Sequence, residues 1–299
     1  MSVVSVLNYK GGVGKTTVTA NLGADIASRG GKVLLIDLDP QASLTFSFYR
    51  PQEWEQRLAQ RTAMHWYESH CYSGPRRGLA EIVATPPQVN AVVKGRLDVI
   101  PSHLRLVDVE LDLAATLGGS RYQTFSPDYL TTYRMLADEL AAPPFTEYDL
   151  ILIDCPPNFN MVTRTAVVAS DHILVPAKAD YLSTLGITYL QRRLGQLTEE
   201  YQRVAGDDPA TMINPVILGV VFTMVQYSGS GLMNKLSGYI NRLREAEVPI
   251  FDQKIRESKS VFADNAEHGV PAVVARHGNS QVEYDLQQLT SEFLARIRH

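Results

Sequence analysis

Apolar residues gather in short blocks along this chain, and amphipathic stretches separate the blocks. Residues 3–7, 32–37 (KVLLID), 97–100, 150–154 (LILID), 173–176 and 216–224 are short, mostly apolar runs. A strand of that kind needs cover on both faces of its sheet. Helical spacing appears between them. Val18, Leu22 and Ile26 form one stripe, and Leu104, Val107, Leu111 and Ala114 form another within 103–115. Leu130, Tyr133, Leu136 and Leu140 mark a third helix over 129–140, and Val282, Leu286, Leu289, Phe293 and Ile297 a closing one over 281–298. Gly30-Gly31 ends the first helix, because glycine takes the left-handed cap without strain. Strands alternating with helices predict an α/β fold: a doubly wound, mostly parallel sheet with helices on both faces, as one domain over 1–299. The closing helix reads as docked on the core.

Two stretches break the rhythm. Residues 48–75 mix polar residues with Trp54, Trp66, Tyr67 and Tyr72 and read as a surface insertion, and 118–127 reads as a loop. With 45% hydrophobic and 20% charged residues over 299, the chain can bury a core without staples. Cys71 and Cys155 are too few for a disulfide framework, and Cys155 reads as small-residue packing. His65, His70 and Cys71 lack the spacing of a zinc site and read as loop residues. A formal net charge of −4 excludes a generally basic nucleic-acid coat but permits a local patch. No apolar run approaches the ~18 residues of a membrane span, and 1–7 is too short for a signal peptide, so a cytoplasmic protein is expected.

The chemistry concentrates just after the first strand. Lys10-Gly11-Gly12-Val13-Gly14-Lys15-Thr16-Thr17 lies between a strand and a helix. Glycines there let backbone amides turn inward around phosphate oxygens, and the helix N-terminus adds a positive dipole end. Lys15 suits the β- and γ-phosphates, and the Thr16 hydroxyl suits Mg²⁺. Tyr9 replaces the first glycine of the general phosphate-loop pattern. Lys10 is a second lysine beside the cradle; it is either a surface charge or reaches a different phosphate chain. Asp37 and Asp154 each end an apolar strand, and in a parallel sheet both project from the carboxyl edge, where ligands bind. Asp39 lies two residues beyond Asp37, before Pro40.

Residues 10–17 resemble the deviant Walker A motif of the ParA/MinD ATPase family. Asp37-Leu38-Asp39-Pro40-Gln41 is similar to the family's first switch motif, and 150–157 (LILIDCPP) to its Walker B and second switch; Tyr148-Asp149, Val175-Pro176 and 220–224 are similar too. The likeness is nearest to ParA/Soj-type partition ATPases. It implies ATP and Mg²⁺, with Thr16, Asp37 and Asp154 around the metal and Asp39 orienting the attacking water. It also implies that Lys10 reaches the phosphates of a second copy across an ATP-driven homodimer, joining Lys15 and Asp39 in the reaction. Asn158-Phe159-Asn160 departs from the family's small residues after the two prolines. Adenine is favoured over guanine, because Asn234-Lys235 continues as Leu236-Ser237 and not as a guanine motif.

The resemblance further implies nonspecific DNA binding on the nucleoid and a ParB-like activator. Lys235, Arg242, Arg244, Lys254, Arg256 and Lys259 are offset by Glu245, Glu247, Asp252 and Glu257, so the patch is weak and a solvated mixed-charge face fits as well. The lead before Val3 has no room for a helix-turn-helix, so DNA contact is expected through the ATPase body. The few positive charges of the closing helix argue against a MinD-like membrane tail. Two rivals stand beside this reading. One is a metabolic enzyme of the cobyrinic acid a,c-diamide synthase and dethiobiotin synthase class. The other is a nucleotide-binding adaptor with negligible turnover.

Overall fold

Six strands run through the described residues: β1 (Ser2–Val6), β2 (Lys32–Asp37), β3 (Arg96–Ile100), β4 (Leu150–Asp154), β5 (His172–Lys178) and β6 (Val216–Thr223). The computed structural model describes residues 1–72, 74–118, 126–206, 208, 211–226, 230–258, 261–262, 269–275 and 280–298. The strands form one parallel sheet in the order β3-β2-β4-β1-β5-β6. The chain therefore moves outward from β1 on one side and returns to finish on the other, which creates a switch point beside β1.

Alternation along each strand builds two cores. Val3, Leu34, Ile36, Ile151, Ile153, Ile173 and Val175 face one layer of helices, and Val4, Val6, Val33, Leu35, Leu150, Leu152 and Leu174 face the other. The second layer contains α1 (Lys15–Ser28) and the closing helix, α11 (Ser280–Arg296), packed on each other. Val18, Leu22 and Ile26 meet the same core as Val282, Leu286, Leu289 and Phe293, so the closing helix is docked as expected. Between these come α2 (Ser43–Phe46), α3 (Pro51–Arg57), α4 (Ala63–Cys71), α5 (Pro87–Asn90), α6 (Leu106–Thr116), α7 (Tyr129–Leu140), α8 (Met161–Val168), α9 (Tyr181–Ala205) and α10 (Ser230–Glu245).

Four expectations change. Segment 48–75 is not a surface appendage: Phe48, Trp66 and Tyr67 are buried, and the Tyr67 hydroxyl bonds Thr165 on α8 at 2.7 Å. His65, His70 and Cys71 lie on α4, not on a loop. On α6 the buried face is Leu106, Val109 and Leu113, while Leu104 before it and Val107 and Leu111 on it are exposed. The chain offers two apolar stripes there, and contact with α4 and α8 selects the other one. The last strand stops at Thr223, because Met224 turns to a φ of 54°. Of the expected loop 118–127, residues 119–125 lie outside the described residues. No helix among the described residues is long and apolar enough to cross a membrane.

Candidate functional site

The phosphate loop is held open by its own backbone. After β1, the buried Asn8 donates its Nδ2 to Pro176 O at 2.7 Å and accepts the Lys10 amide on Oδ1 at 2.9 Å. Gly12 and Gly14 have φ of 65° and 83°, a region where a side chain is strained. Val13 is buried between them, its carbonyl accepting Thr223 Oγ1 at 2.7 Å. Gly14 caps α1 without any side-chain hydrogen bond, and no acidic residue occupies the first turn. The leading amides are thus left for an external acceptor, and anions suit that position. Gly11 and Gly12 are exposed, and a Cβ at either would meet nothing within 4 Å.

Lys15 is buried, with Nζ donating to Asn8 O at 3.3 Å. Burial lowers its pKa, against the pull of Asp154 and Asp39. An ammonium in this position gains from any anion that enters. Asp37 and Asp154 are register partners on β2 and β4 and are fully buried. Asp154 accepts Thr16 Oγ1 at 2.7 Å and Thr19 Oγ1 at 3.5 Å. Burial pushes its carboxyl up to about 7, although Thr16 and Lys15 oppose the shift. Asp37 is raised well above its usual value by burial and by the Asp154 charge. Its Oδ2 accepts Thr45 N at 2.8 Å and Thr45 Oγ1 at 2.7 Å, and its Oδ1 accepts Asp39 N at 3.2 Å. Hydroxyl and carboxylate oxygens at one edge fit Mg²⁺, which takes few protein ligands beside phosphate and water.

Asp39 is half-buried; its Oδ1 accepts Gln41 N at 2.9 Å, and its charge is felt at both Lys15 and Asp154. The fold therefore brings Lys15, Thr16, Asp37, Asp39 and Asp154 to one place. Lys10 is turned elsewhere. Its Nζ pairs with Asp180 Oδ2 at 2.6 Å, and Asp180 also accepts Ser183 N at 2.8 Å as the cap of α9. Burial alone would raise the Asp180 carboxyl; the Lys10 ammonium and the Ser183 amide outweigh it and hold its pKa below the usual value.

The sequence does not announce the contacts that flank this loop, nor the partners Arg164, Tyr189 and Arg193. Tyr9 meets Phe159 at 6.1 Å and Tyr189 at 5.2 Å between ring centroids, and the guanidinium groups of Arg164 and Arg193 lie 5.8 and 5.7 Å from the Phe159 ring. The two positions that depart from the family pattern, 9 and 159, pack on each other. A cavity of about 450 Å³ opens beside the loop, lined by Gly14, Thr17, Thr223, Met224, Arg256 and Phe262 among others. Cys155 is fully buried and its thiol is pushed up to about 12 by burial, as a packing residue. In the basic stretch, Arg256 grips Asp285 at 2.6 Å and Lys254 bonds Asp252 O at 2.9 Å. The Lys235 side chain and Lys259 lie outside the described residues.

A family model described as an AAA domain (AAA_31) matches residues 1–204. The chain is 32% identical over 229 residues to the chromosome partitioning protein ParA of Caulobacter vibrioides, covering 75% of this chain and 70% of that one. Among solved structures, the McdA–ATP complex of Cyanothece superposes with a TM-score of 0.71 at 21% identity, covering 99% of this chain and 96% of that one. Cobyrinic acid a,c-diamide synthase from Mycobacterium smegmatis, with bound ATP analog and magnesium, superposes with a TM-score of 0.72 at 21% identity, covering 100% and 96%. At that identity the two superpositions speak to the fold.

Proposed function

Since the chain belongs to the ParA/MinD family of P-loop ATPases, we propose that it is an Mg²⁺-dependent ATPase of ParA type, a switch that self-associates when it holds ATP. The observation that carries this reading is the phosphate cradle: an uncapped helix start, two glycines at positive φ, and a buried Lys15 aimed across the loop. The amides over 11–17 hold the phosphate oxygens, and Lys15 spans the β- and γ-phosphates. The cavity beside Thr17 and Met224 takes the adenine base. Thr16, with Asp37 and Asp154 behind it, holds the cation, which neutralises charge on the phosphates when bound. Asp39 orients the attacking water in line, so the chain's own part is placement and electrostatics.

Lys10 is the group assigned to the second copy's phosphates. By analogy with a finger supplied in trans, such a charge is worth up to ~10³–10⁵ in rate. Nonspecific DNA, a ParB-like activator and a cytoplasmic, nucleoid-associated location complete the reading. Likeness in sequence to a partition ATPase favours it over the synthase class. Titration with a nonhydrolysable ATP analogue tests the cradle: Lys15→Ala should lose affinity by at least ~100-fold. Asp39→Ala should keep the affinity and lose turnover. Unchanged binding by Lys15→Ala would remove the cradle from the argument, and wild-type protein that binds without turnover would be an adaptor.

A further inference from the structure

One loop residue outside every motif named so far has all of its polar groups engaged, two of them with the site. Ser102 follows β3 and is fully buried. Its hydroxyl donates to the carbonyl of Asp39 at 2.7 Å, and its amide donates to Thr45 Oγ1 at 2.9 Å. That threonine hydroxyl in turn donates to Asp37 Oδ2. The Ser102 carbonyl accepts Nε1 of Trp54, on α3, at 3.3 Å. Trp54 is wedged, with its ring 5.8 Å from Phe46 on α2 and 5.3 Å from His103.

The arrangement is specific to the peptide that sets Asp39. The Asp39 carbonyl accepts two hydrogen bonds, from Ala42 N at 2.9 Å within the turn and from Ser102 outside it. The first bond is local and travels with the turn. The second fixes the turn against β3, an element of the rigid sheet. We propose that Ser102 is a positioning residue for ATP hydrolysis: it holds the Asp39 backbone in register with Asp37, and Trp54 holds Ser102. This rests on the assignment of Asp39 as the group that orients water. It gives the aromatic segment 48–75 a task. In-line placement tolerates little error, and a misplacement of about 1 Å can cost ~100-fold in rate.

The test separates positioning from folding. Ser102→Ala removes one donor, and Trp54→Phe removes the Nε1–H with part of the indole while keeping an aromatic ring. In the full-length protein, nucleotide-analogue affinity should stay within about twofold of wild type for both variants. Single-turnover hydrolysis should fall about tenfold for Ser102→Ala and about threefold for Trp54→Phe, the loss expected of one hydrogen bond. Adding Ser102→Ala to Asp39→Ala should leave the residual rate unchanged, because the two act as one unit. Unchanged single-turnover rates in both single variants, beside a dead Asp39→Ala, would overturn the positioning role alone. So would equal loss with and without Asp39. Normal turnover by Asp39→Ala would overturn the assignment beneath it as well. If Ser102→Ala does not fold, Trp54→Phe decides by the same criteria.

Discussion

Asp154 is a carboxyl held in a place that disfavours its charge. Its pKa rises from 3.8 to about 7, with burial as the main cause. The folded protein therefore keeps this proton over a range where the unfolded chain has released it. Stability contributed by Asp154 is fully present below its ordinary value and is lost as pH rises from there through about 7. At the proposed cation site, Mg²⁺ binding would run the opposite way, since the cation would have to displace the proton. Mg²⁺-dependent nucleotide affinity should climb as pH rises to about 7 and flatten above it. Magnesium titrations at fixed nucleotide across that window check the slope, and thermal midpoints of the nucleotide-free protein check the stability. Asp154→Asn should make both curves shallower and leave the part that belongs to Asp37, which burial raises as well; curves unchanged by the substitution would place the titrating group elsewhere.

At the scale of elements, the sheet depends on close approaches that only glycine permits. Gly95 donates its amide to Ala27 O at 2.9 Å, where the chain enters β3 past the end of α1. A Cβ there would strike the backbone of Gly30 and Gly31, which cannot rotate away. Gly95→Ala should cost about 1–3 kcal/mol, as overpacking does. A fall in thermal midpoint of several degrees, with the phosphate loop's affinity kept, checks it.

The same contrast explains what the sequence could reveal. Strands apolar at successive positions announce a covered parallel sheet, and 129–140 was legible as α7 because one face is clearly buried. α9 was missed because Tyr181, Leu182, Leu185 and Tyr189 are exposed while Ile187, Leu190 and Leu194 are buried, so apolar residues occur all round its first half. The phosphate loop was legible because consecutive residues build it. Thr45, Ser102 and Asp180 were not: Ser102 meets its partners 57 and 63 positions away, and Asp180 meets Lys10 across 170. No local pattern encodes contacts of that span.

The whole molecule turns on where Lys10 points. Its partner Asp180 is 40% exposed at the side chain and Lys10 is 35% exposed, so the pair is well solvated. Such pairs are typically worth about 0–1 kcal/mol, and salt screens them. A second copy's triphosphate presents several negative charges in a site that closing would dry, and can outcompete one carboxylate. The exposed Tyr181, Leu182, Leu185 and Tyr189 follow Asp180 on the same helix and would lose water in that closure. On the proposed role of Lys10 in a second copy's site, the Asp180 pair would hold it back within one copy and give way when another arrives. Light scattering with a nonhydrolysable ATP analogue should show wild-type mass doubling. Lys10→Ala should stay at the single-copy mass while binding nucleotide normally. Asp180→Asn keeps a helix cap but drops the ion pair, so it should associate at a protein concentration a few-fold lower, on the order of the pair's small worth. Doubling by Lys10→Ala would deny the lysine its role across the interface. Weaker association by Asp180→Asn would mean that the carboxylate guides the lysine to the partner and does not restrain it.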